Sequence, residues 1–188
     1  NIEKFCLNDI LSQLEQEFSA AAHEYEIEFK VFSSHHWIES DKHLLRRILQ
    51  NLLTNAFRYA SPGKVVVAAK LFEDQLKIQV VDNGPGIPLD KQEMVFEQFT
   101  QLHTNTSQSA KGLGLGLSIT QSLAQMLAHK LQLESVPGQG CNFSISVPKV
   151  EAEQQVESIP APKVGLQGVA VLCIDNDPKV LEGMLDLL

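Results

Sequence analysis

The stretch Arg46-Arg47-Ile48-Leu49-Gln50-Asn51-Leu52-Leu53-Thr54-Asn55-Ala56-Phe57-Arg58-Tyr59 decides how the rest of this chain is read. Leu45, Ile48 and Leu52 recur at helical spacing and predict one apolar face. Asn51, Asn55, Arg58 and Tyr59 stand at i, i+4, i+7 and i+8, so they share a second face of the same helix. Asparagine is a mediocre helix former, and two of them one turn apart add nothing as helix filler. They read either as solvated polar positions or as a row of amide oxygens, a guanidinium and a phenol aimed at one ligand. An amide oxygen suits a hard cation such as magnesium, and a guanidinium suits phosphate.

Around that helix the chain has 188 residues, one domain by length with room for an appendage. It is 44% hydrophobic and 20% charged, an ordinary globular composition. A net charge of −8 argues against a surface for nucleic acid or for an anionic membrane. Cys6, Cys141 and Cys173 are odd in number and widely spaced, without metal-ligand spacing, which suits a reducing, cytoplasmic setting. No run approaches the roughly 18 apolar residues of a membrane span, and no signal peptide is present. The chain begins at Asn1 without Met and stops inside an apolar pattern at Leu187-Leu188, so it reads as a piece of something longer.

Residues 8–24 predict a first helix, capped by Asn8 or Asp9, with Leu11, Leu14, Phe18 and Ala21/Ala22 as its stripe. Residues 26–33 alternate as a strand. The central helix runs from an Asp41 N-cap to Ala60, and Ser61-Pro62-Gly63 is a turn. Residues 64–71 and 75–82 read as a hairpin, with Leu76, Ile78 and Val80 on one face of its second strand. A short helix is expected at 89–95, and a polar surface loop at 100–111. A further helix at 117–129 shows Ile119, Leu123 and Leu127 as its stripe, and strands at 130–135 and 141–147 close the unit. This is an α/β pattern: a mixed β-sheet covered on one face by helices. Residues 149–166 read as a linker, followed by a buried-strand run at 169–174.

Two glycine-bearing stretches carry possible chemistry. Asp82-Asn83-Gly84-Pro85-Gly86-Ile87-Pro88 places a carboxylate at a strand end before a tight turn. A carboxylate only accepts hydrogen bonds, so it can select an amino group such as that of adenine, while Gly84 and Gly86 let the backbone approach a flat ring. The same residues also make an ordinary hairpin exit. Gly112-Leu113-Gly114-Leu115-Gly116-Leu117 opens a helix, where backbone amides can hold phosphate beside Lys111. It is neither a P-loop, since no Gly-Lys-Ser/Thr occurs, nor a dinucleotide fingerprint, since no strand directly precedes it.

With these residues in one order, the chain resembles the ATP-binding catalytic domain of sensor histidine kinases. That domain belongs to the wider superfamily of gyrase, heat-shock chaperone, histidine kinase and mismatch-repair ATPases. The resemblance covers residues 1–148 and rests on ILQNLLTNAFRY, DNGPGIP, FEQF, GLGLGLSI and GQGCNFSISVP. It implies a Bergerat-type two-layer sandwich of a mixed sheet and about three helices. It implies ATP and Mg2+ as ligands. Asn55 would coordinate the magnesium with Asn51 beside it, Arg58 would contact phosphate, and Tyr59 would flank the purine. Asp82 would bind the adenine amine, with Gly84, Gly86 and Ile87 shaping the pocket. Residues 97–111 would form a lid anchored by Phe96 and Phe99. Lys111, Gly112, Gly114, Leu115, Gly116 and Leu117 would lie against the nucleotide, the glycines hinging the lid and giving amides to the phosphates. Gly138 and Gly140 would be structural.

In the hydrolysing members a glutamate stands four residues before the magnesium asparagine, and here that position is Asn51. A neutral amide takes no proton at neutral pH, so the resemblance implies transfer to an external acceptor rather than hydrolysis. His23-Glu24 is not that acceptor: it ends a helix that leads directly into a strand and lacks the family's surrounding pattern. The acceptor histidine is expected on a dimerising helical hairpin outside this chain, which implies a homodimeric parent. His35, His36, His43, His103 and His129 have no ligand spacing and read as surface or packing residues, and Trp37 as core or edge packing. Residues 167–188 resemble the opening of a response-regulator receiver domain, with Asp175 in its acidic cluster and Asn176 where a second acid is usual. The expected partners are therefore the protein's own histidine-bearing and receiver domains.

Overall fold

The computed structural model describes residues 1–97, 99–100 and 114–151 of the chain. The linker, the receiver-like segment with Asp175 and Asn176, most of the expected lid, Lys111 and Gly112 lie outside the described residues. Seven strands form one mixed sheet: β1 (Glu3–Cys6), β2 (Ile27–Val31), β3 (Trp37–Ser40), β4 (Gly63–Phe72), β5 (Gln75–Asp82), β6 (Lys130–Val136) and β7 (Gly140–Val150). Their order is β1-β3-β7-β5-β4-β2, with β6 paired to β7. Only β2 and β4 run parallel; the other pairs are antiparallel. β7 serves two neighbours along one edge, β6 over Gly140–Ser146 and β3 at Lys149 and Val150. It therefore reaches two residues into the stretch read as linker.

Three α-helices occur among the described residues: α1 (Asn8–Glu24), α2 (Lys42–Ala60) and α3 (Gly116–Met126). α2 begins as the sequence predicts, because the Asp41 carboxylate accepts the Leu44 N–H at 2.9 Å. α1 does not. Its N-cap is Leu7, which makes no side-chain cap, so the expected cap by Asn8 or Asp9 is corrected. Leu7 is fully buried; its N–H donates to His36 O and its carbonyl accepts the Ile10 and Leu11 amides. Burial of that side chain where β1 ends sets the helix start, and Asp9 instead pairs with Lys42 at 2.9 Å.

The core lies between the helices and one face of the sheet. α1 contributes Ile10, Leu11 and Leu14; α2 contributes Leu45, Ile48, Leu49, Leu52, Leu53 and Ala56; the sheet contributes Val65, Val67, Leu76, Ile78, Val80, Ile145 and Val147. Each of these Val, Leu and Ile side chains contributes about 1.5–3 kcal/mol by leaving water. Phe57 brings three aromatic rings together, with Phe18 and Phe29 each at 5.2 Å between centroids and Tyr25 at 6.3 Å.

The predicted helix at 117–129 is shorter and turned. Ile119 is 36% exposed, and the buried positions of α3 are Ser118, Thr120 and Ala124. The stripe of Ile119, Leu123 and Leu127 is corrected accordingly: Leu123 and Leu127 pack on the core and Ile119 does not. Small side chains let α3 lie close to α2, and the two hydroxyls return their hydrogen bonds to the helix backbone at Leu115 O and Gly116 O. The helix predicted at 89–95 is instead two 3-10 turns, Leu89–Lys91 and Met94–Phe96. The first follows Pro88, which supplies no cap.

His129 is a packing residue, 8% exposed, and its Nε2 lies 2.8 Å from Ser40 Oγ. Burial holds its pKa below the usual 6.5. The unfolded chain thus binds a proton more readily than the folded one. The stability of the neutral ring is present above pH 6.5 and is lost as the pH falls through the lower, folded-state pKa. In urea unfolding followed across pH 7.5 to 4.5, His129→Gln removes this part of the acid loss. Ser40→Ala, which deletes one buried hydrogen bond, costs about 1 kcal/mol at neutral pH.

Candidate functional site

α2 leans its polar row over a cleft at the ends of the interior strands β5 and β7. Asn51, Thr54, Asn55, Arg58 and Tyr59 line one half of it, about 250 Å³, facing Val95, Thr100, Gly114, Leu115, Gly116 and Leu117. The second half, about 100 Å³, is lined by Asn55, Ala56, Tyr59, Asp82, Pro85, Gly86, Ile87, Val95, Thr100, Leu117, Cys141 and Phe143. Asn55, Tyr59 and Leu117 belong to both halves, so the row on α2 and the carboxylate on β5 face one continuous depression.

Strand parity explains the carboxylate. The alternation that buries Leu76, Ile78 and Val80 turns Asp82 toward the helix layer as well. Asp82 is 7% exposed, and its Oδ1 accepts the Gly84 amide at 2.9 Å and the Cys141 amide at 3.3 Å. Among the described residues no group donates to Oδ2. Burial raises the Asp82 pKa above its ordinary 3.8, and the two backbone donors oppose that rise. What remains is one acceptor oxygen at the end of a mainly apolar recess walled by Ile87, Val95 and Phe143. Its chemistry suits a ligand amino group on a flat, apolar body.

The loop after Asp82 is shaped by its glycines. Gly86 has φ +68°, and a Cβ there would stand 2.1 Å from Val136 O. Gly84 does not line the cleft; it closes the turn through its amide, and a Cβ on it would stand 2.9 Å from Asp82 Oδ1. Gly140, at φ +95°, passes so close to β5 that a Cβ would lie 1.9 Å from Asp82 O. Gly138 N donates to Pro85 O at 2.7 Å, joining the β6–β7 turn to this loop.

The other half is polar in a different way. Among the described residues the Asn55 side chain makes no hydrogen bond, while Asn51 Nδ2 reaches Thr120 Oγ1 at 3.4 Å. α3 starts at Leu115 without a side-chain cap, so the first-turn amides at Gly116 and Leu117 stand uncapped where they line the cleft. Space above Gly116 is open: a Cβ would meet only Asn55 Nδ2, at 3.9 Å. An unpartnered amide opposite a helix N-terminus fits a magnesium-bound phosphate chain by the chemistry of its donors. Phe96 packs on Phe143 with ring centroids 6.3 Å apart. Phe99 is 70% exposed, so its ring is no anchor; its backbone amide instead donates to Gly114 O at 3.0 Å.

The structure thus gathers Asn51, Asn55, Arg58, Tyr59, Asp82, Gly86, Ile87, Gly114, Leu115, Gly116 and Leu117 around one cleft. Thr54 was missed although it stands three residues from Asn51 on the same helical face. Thr100 was read only as part of the lid, and Ala56, Pro85, Val95, Cys141 and Phe143 were also missed. The last two arrive through the pairing of Asp82 with Cys141 across β5 and β7, a register that no local pattern states.

Comparison with known proteins points the same way. A family described as histidine kinase-, DNA gyrase B- and HSP90-like ATPase matches residues 40–151. The sensor protein EvgS of Escherichia coli K12 is 31% identical over 169 residues, covering 84% of this chain and 14% of that protein. The autoinducer 2 sensor kinase/phosphatase LuxQ of Vibrio cholerae is 38% identical over 135 residues, covering 67% and 16%. The chain spans less than a fifth of the length of these relatives. Among solved structures, full-length ShkA in complex with AMPPNP superposes with a TM-score of 0.70 at 29% identity, covering 81% of this chain and 32% of that one. The catalytic domain of histidine kinase ThkA shares the fold, with a TM-score of 0.67 at 24% identity over 79% of this chain and 96% of that one.

The crossing of Gly140 over β5 yields a direct test of how Asp82 is held. Gly140→Ala is expected to cost more than about 1–3 kcal/mol, the usual size of a strained backbone conformation, because contact with Asp82 O adds to the strain. Gly138→Ala, whose Cβ would meet nothing within 4 Å, bears the strain alone and costs less. Thermal melts of the two variants read the difference.

Proposed function

This chain belongs to the histidine kinase-, DNA gyrase B- and HSP90-like ATPase family, and we propose that it is the ATP-binding catalytic domain of a hybrid sensor histidine kinase. In this reading it presents the γ-phosphoryl group of Mg-ATP to a histidine on a dimerisation domain outside the chain. The carrying observation is the cleft that, among the described residues, holds a buried, half-satisfied carboxylate at one end and an unpartnered asparagine facing a helix N-terminus without a side-chain cap at the other.

Asp82 accepts the adenine amino group through Oδ2 while Oδ1 stays tied to the backbone. Ile87, Val95 and Phe143 cover the faces of the base, and Tyr59 stands at the junction of the two halves. Asn55, with Asn51 beside it, is the ligand for magnesium, which neutralises charge on the phosphates when bound. Arg58 and the amides of Gly116 and Leu117 contact phosphate oxygens, a role the family resemblance also gives to Lys111 and Gly112. Phosphoryl transfer asks chiefly for alignment and charge neutralisation, which these groups supply. No side chain in the row can take a proton from water, since Asn51 is an amide, so hydrolysis is slow and the bound nucleotide waits for its acceptor. The catalytic unit in this proposal runs from residue 1 to the end of β7 at Val150, a linker follows to residue 166, and residues 167–188 are the start of a receiver domain that accepts the phosphate in turn. The whole protein works as a homodimer through its histidine-bearing domain.

Calorimetry tests the adenine assignment: Asp82→Asn turns an acceptor into a donor and should raise the ATP dissociation constant by about 10- to 100-fold, the worth of a hydrogen bond to a charged group. An unchanged constant refutes it. Asn55→Ala should leave ATP binding insensitive to added magnesium. Mixing the chain with a histidine-bearing dimerisation domain and γ-labelled ATP should label that domain, with little free phosphate. Rapid phosphate release without labelled protein would favour a hydrolysing clamp instead.

A further inference from the structure

Serine stands at position 135 of β6 where the strand's alternation asks for an aliphatic side chain. Leu131 and Leu133 face the core on that strand, and Ser135 continues their face. Its hydroxyl is fully used. Oγ donates its one proton to Gly140 O at 2.7 Å and accepts the Ile87 amide at 2.8 Å. Its remaining lone pair lies 3.4 Å from Cys141 Sγ, so the thiol is the donor there. Gln92 completes the arrangement from the other side: its amide nitrogen donates one hydrogen to Ile87 O at 3.0 Å and the other to Ser135 O at 2.9 Å. Both polar groups of the Ile87 backbone are therefore held by two side chains that do not line the cleft, while Ile87 itself does. The same hydroxyl grips Gly140, which crosses Asp82, and touches Cys141, whose amide holds the Asp82 carboxylate.

We propose that Ser135 and Gln92 are positioning residues for the base-binding end of the cleft, holding the Ile87 wall and the Asp82 carboxylate in mutual register. The proposal rests on the nucleotide-binding reading above. A partly buried node that only stapled the fold would lower stability without choosing among ligands. A node that sets the distance between wall and carboxylate weakens ligands through their base and leaves their phosphates alone. The two side chains act on one peptide unit, so their effects are not independent.

The test is calorimetric binding to the full chain with ATP, ADP, adenosine and inorganic tripolyphosphate, each with magnesium. Ser135→Ala is expected to weaken ATP, ADP and adenosine by a common factor of about ten, the worth of a buried hydrogen bond, with tripolyphosphate unchanged. Ser135→Thr, which keeps the hydroxyl, restores binding. Gln92→Leu shows the same ligand pattern, and the double variant loses less than the product of the two single losses. If Ser135→Ala does not fold, as judged by its melt, Gln92→Leu decides. ATP binding within about twofold of the parent in the folded variants overturns the proposal, as does an equal loss for tripolyphosphate. A parent chain that binds no ATP, or an Asp82→Asn variant that binds it normally, overturns the nucleotide reading itself. A parent chain that binds ATP and an Asp82→Asn variant that loses it, beside unaffected Ser135→Ala and Gln92→Leu, overturn this proposal alone.

Discussion

The rotation of α2 about its own axis is set by Leu45, Ile48, Leu49, Leu52, Leu53 and Ala56, all packed against the sheet and α1. Because successive residues of a helix are 100° apart, burying those six fixes where every other side chain on α2 points. Asn51, Asn55, Arg58 and Tyr59 therefore face the cleft as a consequence of core packing, without needing contacts of their own to aim them. Interior packing is dense and resists small rotations, so the helix that carries the row is held as firmly as the core is. Asn51 adds one polar tie, to Thr120 of α3, and that tie is possible only because α3 presents small residues to α2.

The carboxylate at the other end of the cleft depends on a second packing rule, the two-residue period of a strand. Asp82 is the terminal member of the buried series of β5, and it breaks the apolar pattern of that series at its last position. A buried carboxylate is costly unless hydrogen-bonded, and two backbone amides, from Gly84 and Cys141, offset part of the cost. The rest of the turn is arranged around that oxygen. Gly86 and Gly140 are glycines because neighbouring backbone leaves no room for a Cβ, not because a flexible loop is wanted. A local rule broken at a tightly supported position is what a binding site looks like from the side of the fold.

Where expectation and structure part, the reasons are tertiary. β1 and β3 are four residues each and carry too little alternation to be seen alone; they exist because each pairs with a neighbour. α1 starts where Leu7 is buried, not where a polar cap was available. The stripe of α3 is displaced because its neighbour is the polar side of α2, which Thr120 meets through Asn51 and which Ile119 does not face. Leu89–Lys91 and Met94–Phe96 form two separate 3-10 turns in which Val95 alone is buried. In each case propensity or pattern was a weak local signal that a long-range contact overrode.

The chain's own order of residues determined the mixed α/β layering, the central helix with its Asp41 cap, the hairpin of β4 and β5, and the identity of the polar row, Asp82 and the glycine turns. Each of these is written in a period of 3.6 or 2, or in a residue whose chemistry is local. Only the folded chain decided that Asp82 and Asn55 open on one cleft, that Cys141 and Phe143 join it, and that Ser135 and Gln92 grip Ile87 from behind. Those contacts join positions separated by tens of residues through strand register and helix packing. Register and packing are properties of pairs of elements, and no single stretch of sequence contains them.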